Sequence, residues 1–75
     1  MIRYKNLSKN SGVYAFSYSS DRISVQFKDG AIYLYTYLSA GMSNIEKMKS
    51  LAISGIGLNS FISRVVKKNY QSKYR

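Results

Sequence analysis

The chain has 75 residues without a cysteine or a histidine, which excludes a disulfide-built scaffold and removes the commonest metal ligand and proton shuttle. That length is one small domain, and its core must come from packing alone. Twelve Lys and Arg against three Asp and Glu give a formal charge of +9, a field that attracts nucleic acid, nucleotides or anionic surfaces, and eight tyrosines supply rings on which bases stack. The ordinary alternative is a small basic protein that binds polyanions loosely.

In chain order, "MIRYKNLSKN" (1–10) lacks the apolar segment of a signal peptide, and no apolar run reaches bilayer length, so a cytoplasmic protein with no membrane association is expected. A single domain spans 1–75, with 1–10 and 71–75 expected as flexible ends. "VYAFSY" (13–18) reads as a strand and "SSD" (19–21) as a turn. "RISVQFK" (22–28) alternates, with Ile23, Val25 and Phe27 on a dry face and Arg22, Ser24, Gln26 and Lys28 on a wet one. Asp29-Gly30 closes a hairpin into a third strand, 31–37. Helical spacing takes over after Ser39. Ser43 and Glu46 form a capping box, Ile45, Met48 and Ala52 a buried stripe supported by Leu51, and the helix ends before Gly55. Leu58, Phe61, Ile62 and Val65 give a second helix its core face, with Arg64, Lys67 and Lys68 together on another side. The expected fold is α+β: a three-stranded antiparallel meander followed by two helices packed on its dry face, βββαα. Phe16 joins these stripes in the expected core.

The hairpin admits two registers. A two-residue type I′ turn over Asp29-Gly30 pairs Phe27 with Ile32, buries Ile32 and Leu34, and leaves Tyr33 and Tyr35 on the open face as a stacking platform. A three-residue loop with Gly30 left-handed pairs Phe27 with Ala31 and turns the tyrosines toward the helices. A one-residue slip exchanges every side chain between faces, and the local residues permit both.

"ISVQFKDGAIYLY", with "VYAFSY" before it and "SGIGLNSFI" after it, resembles the KTSC domain, a family found at the C-terminus of some lysyl-tRNA synthetases and as stand-alone bacterial and phage proteins. The likeness runs through Ile23, Val25, Phe27, Gly30, Tyr33 and Tyr35 to Ser54, Asn59, Ile62 and Tyr70, and covers about residues 8–75. Ser39 stands where the family often has proline, and Ile56-Gly57 replaces a polar residue or two. The residue between the two tyrosines is often polar in that family, which implies Tyr33 and Tyr35 facing the helices. Ile32 and Leu34 would then be partly exposed, an expectation that points to a homo-oligomer.

Catalysis has few candidates. Asp21 and Asp29 have turn roles, Glu46 a cap role, and the serines lack a histidine base, leaving a Ser–Lys pair as the one nucleophilic combination. The expected protein is not an enzyme and carries no cofactor or metal. "SGIGLNS" (54–60) could present backbone N–H groups to a phosphate, though a tight turn capped by Gly55 is the stronger reading. Arg64, Lys67 and Lys68, with Lys73 and Arg75 beyond and Tyr70 and Tyr74 interleaved, form the best basic cluster. The expected nucleic-acid or nucleotide-binding set is Tyr35, Tyr37, Asn59, Arg64, Lys67, Lys68 and Tyr70. The partner is RNA, which the resemblance implies, or a small nucleotide. Two other readings stand beside it: a phage-type protein that sequesters a cyclic dinucleotide at an oligomer interface, and a protein–protein module using the exposed sheet face.

Overall fold

Alternation in the central strand is obeyed: Ile23 and Val25 are fully buried, while Arg22, Ser24 and Gln26 retain solvent. The computed structural model describes residues 1–74, so Arg75 of the expected basic tail lies outside the described residues. The fold is α+β, with an antiparallel sheet of five strands in chain order: β1 (Ile2–Arg3), β2 (Val13–Ser19), β3 (Arg22–Phe27), β4 (Ile32–Thr36) and β5 (Ser72–Tyr74). The expected meander is its centre, β2 to β4. The correction is to the number of strands, at the edges, where the N-terminal segment supplies β1, paired Ile2 to Phe16, and the C-terminal segment supplies β5, paired Tyr33 to Lys73. Each is two or three residues long, and its pairing follows from the hydrogen-bonding edge that the neighbouring strand offers.

The hairpin takes the three-residue loop. Phe27 and Ala31 face each other through Phe27 N–H to the Ala31 carbonyl at 2.9 Å, and Gly30 N–H returns to the Phe27 carbonyl at 2.9 Å. Gly30 has φ +96°, a conformation that favours glycine, and the Asp29 carboxylate accepts from Ala31 N–H at 2.9 Å. Val25 therefore lies opposite Tyr33 and Ile23 opposite Tyr35, and both tyrosines share the helix-facing side with those aliphatics. Tyr35 is 1% exposed and Tyr33 half-buried. On the other face Leu34 is buried, contrary to the exposure expected of it, because β5 makes it an interior position between Ser24 and Ser72. Of the two aliphatics expected to be partly exposed, Ile32 alone is, and it stays half-buried.

A one-turn helix α1 (Tyr37–Ala40) follows β4 directly. Its capping box is Thr36–Ser39, with both reciprocal hydrogen bonds present. This corrects the Ser43–Glu46 box: α2 (Met42–Ser54) starts after Gly41 without a side-chain cap, and Glu46 has other partners. α2 buries Ile45, Met48 and Ala52 as its spacing requires.

The last helix begins as α3 (Leu58–Phe61) and widens into a π-turn over Ile62–Val66. Widening rotates the inward position by one residue, so Val66 is fully buried and Val65, expected in the core, is 45% exposed. Phe27 and Phe61 pack against the core from its margin. No helix among the described residues is long and apolar enough to cross a membrane.

Gly55 ends α2 in the left-handed conformation, φ +85°, with its N–H on the Leu51 carbonyl. A Cβ there would lie 2.6 Å from the Lys5 Cβ. Gly55→Ala combines the left-handed penalty with this clash and should cost about 2 kcal/mol or more. A melting temperature unchanged from wild type would show that the N-terminal segment does not pack there in solution.

Candidate functional site: a lysine–tyrosine pocket

The π-turn sets the geometry. It closes with Lys67 N–H on the Ile62 carbonyl at 2.6 Å, five residues back. Lys67 then takes φ +46°, ψ −114°, a conformation that a side-chain-bearing residue holds only at a cost of about 1 to 3 kcal/mol. Two contacts over-determine it: Asn69 N–H donates to the Val66 carbonyl at 2.7 Å, and the Tyr35 hydroxyl donates to the Lys67 carbonyl at 3.3 Å. The chain reverses here, and Gln71 N–H catches the Leu34 carbonyl at 2.7 Å, launching β5 along β4.

This reversal folds Lys67, Lys68 and Tyr70 over the end of the sheet. With Tyr33, Tyr35 and Lys73 they line a concavity of about 500 Å³, completed by Phe27, Asp29 and Ile62. The size is that of a small-ligand site. Lys73 arrives because it pairs with Tyr33 across β4 and β5, and alternation sends it to the helix-facing side while Ser72 and Tyr74 go to the other. Its ammonium lies 5.4 Å from the centre of the Tyr33 ring. Tyr70 meets Tyr33 edge-to-face at 4.9 Å and Tyr35 at 6.1 Å, and Tyr33 meets Phe27 in the same way at 5.4 Å. Tyr33 and Tyr70 remain half-buried, so part of each ring reaches solvent. Three lysines against one aspartate leave the pocket positive.

Burial, then the neighbouring Tyr33 and Tyr70, push the Tyr35 phenol up to about 12. It therefore keeps its proton at neutral pH and donates it to the hydrogen bond with the Lys67 carbonyl.

Of the expected set, Tyr35, Lys67, Lys68 and Tyr70 come together in this pocket. Tyr37, Asn59 and Arg64 do not. Tyr37 donates to the Glu46 carboxylate at 2.6 Å, and Lys49 bonds the same oxygen at 2.9 Å and the Ser20 carbonyl at 2.9 Å. The Tyr37 bond and then Lys49 hold Glu46 below the usual carboxylate range, and the same bond raises the Tyr37 phenol. This network ties α1 and α2 to the β2–β3 turn. Asn59 faces Gly12, its side-chain oxygen 3.7 Å from where a Gly12 Cβ would stand, and Arg64 is on the exposed side of the π-turn. Gly55 and Gly57 act as caps flanking a turn, the stronger of the two readings of "SGIGLNS".

Sequence reasoning left Tyr33, Asp29 and Lys73 out of the set. A basic cluster containing Lys73 was visible, but its place beside Tyr33 depends on β5, which carries no apolar alternation of its own. Among the described residues no group of three or more His, Cys, Asp or Glu could hold a metal ion. Comparison with protein-family models, curated proteins and solved structures gives no match to this chain.

Proposed function

We propose that the chain is a non-enzymatic, KTSC-like binding module that holds a nucleotide unit, free or within a nucleic-acid strand, in the lysine–tyrosine pocket. The observation that carries this reading is the convergence of Lys67, Lys68 and Lys73 with the half-buried rings of Tyr33 and Tyr70 in one positive concavity. A phosphate placed among the lysines makes charge-assisted hydrogen bonds, and a base against a tyrosine adds about 1 to 3 kcal/mol of stacking. Tyr35, locked as a hydroxyl donor to backbone, supports a binding rather than a catalytic role. Sequestration of a small nucleotide such as a cyclic dinucleotide is the second reading, favoured by the pocket's small-ligand size.

A binding screen with oligonucleotides beside mono- and cyclic dinucleotides, at two salt concentrations, separates them. A strand gives a steep salt dependence, and a small nucleotide a shallow one with fixed stoichiometry. Lys67→Glu/Lys68→Glu should leave circular dichroism unchanged, since both side chains are exposed, and weaken nucleotide binding at least about tenfold, roughly 1.4 kcal/mol. Unchanged affinity in that variant would remove the pocket from consideration.

A further inference from the structure

We infer a second anion-binding site on the other side of the β3–β4 hairpin tip, and that the ligand engaging both sites is a single nucleic-acid strand. The choice of a strand rests on the nucleotide reading of the first pocket; the second site itself rests on its own geometry.

Arg3, Lys5, Lys9 and Lys28 converge with Tyr14 around a concavity of about 350 Å³ that has no acidic residue in its wall. Two of the chain's three acids lie elsewhere: Asp21 is paired with Arg22, and Glu46 with Lys49. The third, Asp29, lines the first pocket. Among the described residues none of the four cations is in an ion pair. Four like charges around one hollow repel one another, and an anion relieves that repulsion.

The wall is built rather than loose. Tyr4 N–H donates to the Tyr14 carbonyl, Leu7 N–H to the Gly55 carbonyl and Lys28 N–H to the Gly12 carbonyl, all at 2.8 to 2.9 Å. The Asn6 side chain accepts from Ser11 N–H at 3.1 Å, and its carbonyl accepts from Lys9 N–H at 2.9 Å. Lys9 itself is held left-handed at φ +65°. The segment 4–12 is thus fastened to β2, to the hairpin and to the end of α2, which fixes the backbone that carries Lys5 and Lys9.

A flat ring accompanies the charges. Tyr14 is 41% exposed, and the Arg3 guanidinium lies 4.4 Å from its ring centre. Each hollow therefore sets cations against a tyrosine, a pairing that suits the phosphate and base of a nucleotide; at Tyr14 the guanidinium covers one ring face, so a base would stack on Arg3 or on the opposite face. An acidic peptide or lipid headgroup would leave the ring unused.

The hollows also have adjacent residues in their walls. Lys28 lines the second and Asp29, the next residue, lines the first, so the hairpin tip is the ridge between them. A ligand with phosphates at intervals crosses that ridge; a mononucleotide fills only one side.

The test is fluorescence anisotropy with labelled uridine monophosphate and labelled oligouridylates of about four nucleotides or more. Wild type should bind the longer strands at least tenfold more tightly than the monophosphate. Lys9→Glu/Lys28→Glu changes two exposed side chains. It should abolish that gain while altering monophosphate affinity less than twofold. The slope of log affinity against log salt should shrink by about 1.4, two single-strand phosphate contacts. Arg3→Ala, read in the same way, serves should the double variant lose its native circular dichroism. Equal affinity for monophosphate and strand, or strand binding indifferent to both variants, would overturn the proposal. So would equal capture by phosphatidylserine vesicles or polyglutamate. If Lys67→Glu/Lys68→Glu leaves every affinity intact while Lys9→Glu/Lys28→Glu weakens the strand, the first-pocket reading fails and the second site stands.

Discussion

Phe16→Ala is expected to remove a large share of the protein's folding stability. Phe16 is 2% exposed, lies opposite Val25 on the helix-facing side of the sheet and belongs to the same buried cluster as Ile45, Met48 and Leu58. Truncating a buried phenylalanine costs about 3 to 5 kcal/mol in transfer and cavity energy. A domain of this size has roughly 4 to 11 kcal/mol of total stability by the usual per-residue scale, so one side chain is a large share of it. Phe61→Ala provides a graded comparison: its ring is only partly buried at the margin, and a smaller loss is expected. Val65→Ala should stay within about 0.5 kcal/mol, because the π-turn leaves Val65 exposed. Thermal denaturation followed by circular dichroism orders the three. A loss for Val65→Ala matching that of Phe16→Ala would mean that the helix keeps α spacing and turns Val65 inward.

Val65 also marks how far periodicity can be read. Leu58, Phe61 and Ile62 obey the 3.6-residue rhythm because each is fixed by α-type hydrogen bonding, and nothing in "SRVVKK" announces that the next bond reaches five residues back. The same shift delivers Lys67 and Lys68 to the pocket, so the feature that defeats the core reading is the one that builds the site. The central strand β3 is legible because it buries one face, and burial forces alternation there, whereas β4 buries Leu34 on one face and Tyr35 on the other. β1 and β5 bury little themselves, and a three-residue strand such as "SKY" pairs for the sake of a neighbour's edge. Tyr33 and Tyr35 fall between these cases. Their inward direction depends on whether two or three residues turn the hairpin, a choice to which Asp29-Gly30 is locally indifferent. The structure takes three, and packing of Tyr35 into the sheet–helix cluster favours that register.

Tyr35 joins the core to the pocket, and two substitutions should separate its roles. Tyr35→Ala removes a ring that is 1% exposed and should cost about 3 to 5 kcal/mol, as other large aromatic truncations do. Tyr35→Phe keeps the ring and deletes only the donor to the Lys67 carbonyl, for an expected loss of about 0.5 to 1.5 kcal/mol. That loss should be accompanied by weaker ligand binding, because the strained residue that presents Lys67 and Lys68 is held in part by this bond. The phenol supplies an independent signature in alkali. Its folded pKa of about 12 lies above the ordinary value of 10, so the folded state keeps this proton to higher pH than the unfolded chain. The stability linked to it is complete below about pH 10 and is lost as pH rises toward 12. Allowing for screening where the hydroxyl meets the pocket, about 1 to 2 kcal/mol should disappear over that interval. All other side chains are common to the two proteins, so urea denaturation of wild type and Tyr35→Phe at successive alkaline pH values isolates this one group. The wild-type advantage should narrow above about pH 10. Parallel stability curves for the two proteins would show that the Tyr35 hydroxyl is open to water and does not anchor Lys67.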